Sequence, residues 1–283
     1  MTVKFGTTLP QREFGNDVTA IKDFALGVEA LGLSYLRVAD QVIMPGRGGF
    51  HEPLMLLSFL SAVTRRLELV PSVLVAPSRE TTLVAQQIAV LDLLSEGRIR
   101  LGLGLGGNVR EYQAMGREMV RRGERLEEQI GLMRSLWEDP AAELFDRSES
   151  IGRESVSPKA KGRSIPVWLG LSVEPPVRAL ERVGELADGW FAMCDHHSFA
   201  IFHDIVLEAA AACGRSPDQV GAECEISLLQ FSSNKLVTEL KRWSELGVSH
   251  VSLSTLGLKG SSQDHLNLLA KAAPLLSKDF SLK

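Results

Sequence analysis

TTLVAQQIAVLDLLSEGRIRLGLGLGG, residues 81–107, is the stretch on which the architecture turns. Thr81 or Thr82 opens a helix in which Val84, Ile88 and Leu91 return at the 3.6-residue period of one buried face. Ser95, Glu96 and Gly97 stop it. The apolar run Ile99–Leu105 then reads as a short strand bounded by turn residues. A helix joined by a tight turn to a strand is the repeating element of a parallel α/β sheet, because parallel strands need helical crossovers.

The same alternation extends in both directions. Upstream, strand Val3–Leu9 precedes a helix capped by Asn16 or Asp17, with Val18, Ile21, Phe24, Val28 and Leu31 on one face and Gly32 at its end. Strand Tyr35–Ala39 follows. A helix then has Pro53 in its first turn and carries Leu54, Leu57, Leu60 and Val63. Strand Leu67–Ala76 completes that half. Downstream, a helix at roughly 121–138 places Leu126, Ile130, Met133 and Trp137 on one stripe. Strands Pro166–Leu171, Trp190–Met193, Glu223–Leu229 and His250–Ser254 each lead into a helix. The first of these helices opens at Pro175–Pro176, and the others carry Ile201 and Ile205; Leu236, Leu240 and Trp243; and Leu266, Leu269 and Ala273. Residues 139–164 are polar and aperiodic, and read as an insertion between the fourth and fifth units of one domain spanning 1–283. Eight strand–helix units predict a (β/α)8 TIM barrel, with an open doubly wound sheet as the alternative. A barrel of this kind concentrates chemistry in the loops after the strands.

Composition narrows the partners. A net charge of −4 gives no electrostatic reason to expect nucleic acid or an anionic membrane. Cys194, Cys213 and Cys224 have no CxxC spacing and no metal-ligand pattern, which suits thiols in a reducing compartment and predicts no metal. The first residues show no charged segment followed by an apolar run, and no stretch suits a membrane span, so a soluble cytoplasmic protein is expected. The helix opened by Pro53 is apolar nearly all round, which predicts burial from both sides, by a homodimer interface or by an intramolecular neighbour.

Several residues could carry chemistry. Gly102, Gly104 and Gly107 spell G-x-G-x-x-G after a strand. A dinucleotide fingerprint normally sits in the opening βα turn, whereas this one follows three complete units. It reads better as a barrel strand whose small residues let a planar ring lie close to the backbone. Gly106, Gly107 and Asn108 offer backbone N–H groups near a helix start, where an anion or ring edge could dock. Asp40, followed by Gln41 at the end of the second strand, could accept from a ring N–H or orient a substrate. It could equally cap a turn or pair with an arginine. Ser72 could be a polar group at a pocket edge or simply bond its own backbone. Gly170, Leu171 and Ser172 could receive a phosphate on their amides or form a plain turn. His51 and His196 are candidate proton donors, with surface or capping roles as the plainer reading.

Taken together, these stretches resemble the luciferase-like monooxygenase superfamily. The match is strongest in PSRETTLVAQQIAVLDLLSEGRIRLGLGLGGNVREYQAMG (77–116), with RGERLEEQIGLMRSLW (122–137), IPVWLG (165–170) and ADGWF (187–191) in the family's order. FGTTLPQ and ALGLSYLRVAD near the N-terminus also fit. The resemblance implies a (β/α)8 barrel with an insertion and a ring at the C-terminal mouth. That ring is the deazaflavin F420 or, alternatively, FMN. The family's strand-three bulge, often a non-prolyl cis peptide, maps onto Ser72–Val73, and Asp40 matches an aspartate beside the ring. The phosphate-side contacts map onto Gly106, Gly107 and Asn108, with Gly170, Leu171 and Ser172 opposite.

One departure stands out. Many deazaflavin-using members carry Asp-His where this chain has Asp40–Gln41, and Gln41 cannot titrate. The expected function is hydride transfer between F420 and a small organic substrate, with Asp40, Gln41 and His51 as the catalytic candidates. The alternatives are an FMN-dependent monooxygenase activating O2, a non-catalytic flavin-binding protein, and a nicotinamide dehydrogenase built on the glycine pattern. Specificity is expected from the loops at 41–51, 139–164 and 194–199.

Overall fold

The computed structural model describes residues 3–43, 49–139, 143–146, 149–153, 156–158 and 164–279. In chain order the elements are β1 (Lys4–Thr8), α1 (Gln11–Phe14), α2 (Val18–Ala30), β2 (Tyr35–Val38), α3 (Pro53–Val63), β3 (Glu68–Pro71), β4 (Leu74–Val75), α4 (Thr81–Leu94), β5 (Leu101–Gly104), α5 (Val109–Ala114) and α6 (Arg122–Glu138). They continue with β6 (Glu143–Asp146), β7 (Glu149–Arg153), β8 (Val167–Gly170), α7 (Val177–Leu186), β9 (Gly189–Ala192), α8 (His196–Ala212), β10 (Gly221–Ser227), α9 (Ser233–Glu245), β11 (His250–Ser254) and α10 (Ser262–Asp279).

Punctuation in the sequence sets these boundaries. Asp17 caps α2 by accepting from the Ala20 amide at 2.9 Å, and Gly32 and Gly97 adopt positive φ where α2 and α4 end. Glu52 caps α3 through the Met55 amide, with Pro53 at its first position.

All nine strands of the main sheet run parallel, in the order β3-β2-β1-β11-β10-β9-β8-β5-β4. Its two ends, β3 and β4, are halves of one sequence strand, so the sheet is an eight-stranded barrel closed through its third strand. The expected strand Leu67–Ala76 is therefore interrupted, at a cis peptide between Ser72 and Val73. Below the break, Leu69 bridges Ile99; above it, Leu74 and Val75 pair with Leu103 and Gly104. The insertion contributes a two-stranded antiparallel hairpin, β6–β7, outside the barrel sheet. The residues between its described segments, like residues 44–48 of the 41–51 loop, lie outside the described residues.

The apolar core lies between barrel and helices. Leu36, Val38, Leu101, Leu103, Val167, Leu169, Trp190, Ile226, Val251 and Leu253 all face outward into one buried cluster with the helix stripes. Alternation along each strand sends the neighbouring residues inward.

Candidate active site at the barrel mouth

The inward faces are strongly polar. Glu68 on β3, Arg100 before β5, Glu223 and Glu225 on β10, and Arg37 on β2 form one column of alternating charge. Arg100 Nε donates to Glu68 Oε2 and its Nη1 to Glu223 Oε2, both at 2.8 Å. Arg37 Nη1 lies 3.1 Å from both Glu223 Oε1 and Glu225 Oε2. Arg100 is sandwiched among aromatic faces, 4.7 Å from the Tyr35 ring and 4.4 Å from that of Trp168. Burial opposes its charge, yet Glu68 and Glu223 hold its pKa above the ordinary arginine value. His250, packed on Tyr35 and Trp168, has its pKa pushed down to about 2, chiefly by burial and further by Arg100. It is neutral.

Toward the C-terminal ends of the strands the column opens. Glu225 is 38% exposed at the side chain, whereas Glu223 is 1% exposed. Glu225 Oε2 also accepts from Thr8 Oγ1 at 3.1 Å, and Ser252 Oγ lies 3.3 Å from that hydroxyl. Arg37 Nε donates to Ser72 Oγ at 3.0 Å, joining the polar floor to the break in the third strand.

The loop after β2 and glycines of β5 and β8 shape that break. Asp40 accepts from Arg79 Nη2 on both oxygens and from the Val75 amide, all at 3.0 Å. Burial pushes the Asp40 carboxyl upward, against the pull of Arg79. Arg79 reaches on to Glu52 at 2.9 Å. The Asp40 side chain is only 1% exposed, and pairing with an arginine is the one of its expected roles that the contacts display. Its work here is to fix Val75 and with it the half-exposed shelf of Ser72 and Val73.

The strand glycines lie against the third strand. A Cβ on Gly104 or Gly170 would collide with the Val73 side chain, and one on Gly102 with the Pro71 carbonyl and Phe191. Their missing side chains make room for the protein's own bulge. Val73 becomes the surface offered to the mouth.

The remaining candidates gather around this shelf. Gln41 Nε2 and Asn108 Nδ2 both donate to the Ile43 carbonyl, at 3.3 and 2.9 Å, and Glu111 Oε1 accepts from the Val42 amide. The loop after β2 is thereby tied to the loop after β5. Asn108 also caps α5, which is only six residues long, so the expected helix-start anion site has little dipole behind it. Gly106 holds a φ of +61° against Val75, and Gly107 is open above its Cα. Gly170, Leu171 and Ser172 sit at the mouth, but α7 begins only at Val177, so no helix opens directly from them. His51 is half-buried beside Glu52, with Nδ1 enclosed and unbonded. His196 instead packs at a tilt against Trp243, ring centroids 4.3 Å apart, with Nε2 3.0 Å from Glu239.

Around the rim, Val42, Ile43, Val173, Met193, Leu229 and Leu256 expose large apolar side chains in the loops following five different strands. The mouth thus combines a polar floor, one aliphatic shelf and an apolar rim, which suits a flat ring with polar edges. Among the described residues no cluster of His, Cys, Asp and Glu could hold a metal, and no helix is long and apolar enough to cross a membrane.

Sequence reading missed the charged column. The available signal was Glu223–Cys224–Glu225, two carboxylates two residues apart inside an otherwise buried strand, which puts both on one face.

The profile of luciferase-like monooxygenases matches residues 2–229. A protein of Amycolatopsis mediterranei (strain U-32) named F420-dependent glucose-6-phosphate dehydrogenase is 27% identical, across 96% of this chain and 82% of its own length. Among solved structures, an F420-dependent secondary alcohol dehydrogenase in complex with an F420–acetone adduct superposes with a TM-score of 0.80 at 13% identity, over 98% of this chain and 99% of that one. The oxygenating constituent of 3,6-diketocamphane monooxygenase from Pseudomonas putida, in complex with FMN, gives 0.79 at 13% identity, over 100% and 99%.

Proposed function

Because this chain belongs to the luciferase-like monooxygenase family, we propose that it is an oxidoreductase using F420 to move a hydride to or from a small organic substrate at the C-terminal mouth of the barrel. The observation that carries this reading is the Ser72–Val73 shelf, backed by Gly104 and Gly170 and pinned by Asp40 through Val75. It faces a polar floor and an apolar rim. F420 is favoured over FMN because the relative spanning 96% of the chain is named as an F420 enzyme.

Bound there, the deazaflavin would supply a two-electron hydride carrier. Ser72 and Val73 would support its ring. Gly106, Gly107 and Asn108 on one side, and Gly170, Leu171 and Ser172 on the other, would flank its polar edges and tail. Asp40, Gln41 and His51 act at one remove: Asp40 holds the shelf, Gln41 holds the 41–43 loop, and His51 stands beside the Arg79 network. The likeness to an FMN-bound monooxygenase supports a second reading, oxygen activation on FMN in the same mouth.

Titrating the apoprotein with F420 and with FMN, oxidised and reduced, while following ring fluorescence tests both. F420 bound alone supports hydride transfer, FMN bound alone moves the reading to oxygen chemistry, and no binding of either refutes the cofactor assignment. A bound ring that never turns over with any acceptor would mark a non-catalytic binding protein.

We also infer a homodimer through α2, α3 and α4. Met55 (70% exposed) and Phe59 stand one turn apart on the outer face of α3, with Leu26 and Leu83 exposed on the adjacent helices. Light scattering should give twice the chain mass, and Met55→Lys with Phe59→Lys should halve it.

A further inference from the structure

We propose that Glu225 is the catalytic residue that takes up and returns the substrate's proton. This deepens the hydride-transfer reading and rests on it.

Four of the other candidates around the mouth are closed off or cannot take up a proton. Gln41 cannot titrate. Asp40 is closed by Arg79 and the Val75 amide, and Glu111 accepts from the Val42 amide with its residue 4% exposed. His196 is packed against Trp243 and Glu239. Glu225 differs from all of these. It stands on β10 at the mouth end of the column, is 38% exposed, and engages Arg37 and Thr8 through Oε2, with Oε1 outside these contacts.

Its surroundings suit a proton carrier. Arg37 faces it from β2, Thr8 from β1 and Ser252 from β11; Phe191 of β9 covers Arg37, and Glu223 lies below on the same strand. The column reads Glu68, Arg100, Glu223, Arg37, Glu225: three carboxylates against two guanidiniums, with His250 neutral beside Arg100. A proton arriving at the mouth end balances the charges without disturbing either buried pair. Arg37 also bonds Ser72, so the carboxylate and the shelf share one rigid support.

For an alcohol substrate, the carbinol C–H bond breaks and its electron pair leaves as hydride to the oxidised deazaflavin coenzyme. The O–H bond breaks, its proton moves to Glu225 Oε1, and C=O forms. In the reverse direction the protonated Glu225 donates to the nascent alkoxide.

Two measurements decide the matter. In the first, the apoprotein is treated with a water-soluble carbodiimide and glycine ethyl ester, and the peptide bearing Glu225 is followed by mass spectrometry, with and without saturating F420 or FMN. Labelling of Glu225 that the ring suppresses is expected. An unreactive Glu225, or labelling that a bound ring leaves unchanged, overturns the proposal. If neither ring binds, the cofactor reading fails separately, and labelling of the apoprotein still shows whether Glu225 opens on the mouth. In the second, Glu225→Gln and Glu225→Asp are compared with wild type in the F420-loaded enzyme, using a panel of secondary alcohols and the matching ketones. Glu225→Gln should keep the cofactor Kd within about twofold yet lower kcat by about 100-fold or more, flattening the pH profile, with partial rescue by Glu225→Asp. Equal turnover in wild type and Glu225→Gln, or a lost cofactor Kd in Glu225→Gln, overturns it.

Discussion

The same eight strands have two faces that obey opposite rules. Outward, Leu36, Leu101, Trp190, Val251 and their neighbours meet the helices in a continuous shell of apolar side chains. Inward, Arg100, Glu223, Arg37 and Glu225 stack into a column of paired charge walled by Tyr35, Trp168 and Phe191. The shell holds the barrel together through burial, which is non-directional and tolerant of shape. The column contributes little net stability for its size, since desolvation offsets attraction. It does fix where each charge stands. Stability therefore concentrates outside the barrel, while positional information lies inside it.

Substitution should separate the two faces. Arg100→Met removes the cation that serves both Glu68 and Glu223, and should cost about 3–5 kcal/mol in urea denaturation. Combining it with Glu223→Leu leaves the Arg37–Glu225 pair balanced and should recover a substantial part of that loss. On the outward face, Leu101→Ala should cost about 2–5 kcal/mol by the same assay. Where the fold persists, its ring-binding Kd should remain that of wild type.

Gly104→Ala probes the boundary between the faces. Its new Cβ collides with Val73 and should cost about 1–3 kcal/mol, with weakened F420 or FMN binding in the fluorescence titration. Adding Val73→Ala should restore stability but not affinity.

The smallest effect is the pH dependence. Burial lowers the pKa of His250 to about 2, and those of His203 and His265 also lie below the ordinary value near 6.5. Below that value the unfolded chain takes up protons that the folded chain refuses. The contribution is thus complete above pH 6.5 and is lost as pH falls. His250 alone should cost about 1.3 kcal/mol between pH 7 and 5.5, read from urea midpoints, the slope reaching about 1.4 kcal/mol per pH unit only well below pH 6.5. His250→Gln should reduce that slope by one proton's worth.

Much of the barrel was legible because its signals are local. Asp17, Gly32, Pro53 and Gly97 each act within one turn of where they stand, and the 3.6-residue stripes need only their own helix. The site was legible only in outline. Asp40 stood out as a carboxylate at a strand end, but its partner Arg79 lies 39 residues on. Glu223 and Glu225 looked like ordinary polar positions, because their partners Arg100 and Arg37 are 123 and 188 residues away and meet them only after the barrel closes. The glycines of β5 were assigned to a ligand when the nearer occupant was Val73, from a strand the chain had already laid down.

The divided third strand has a consequence for measurement. The hydrogen-bonded ring is thinnest there, with β4 contributing two residues and the Val75 amide held by a side chain, Asp40. Anything resting on Val73 presses on that seam from the mouth. The exchange rate of the Val75 amide with deuterated solvent should therefore act as a built-in occupancy gauge, slowing as the mouth fills and quickening whenever Asp40 or Arg79 lets go.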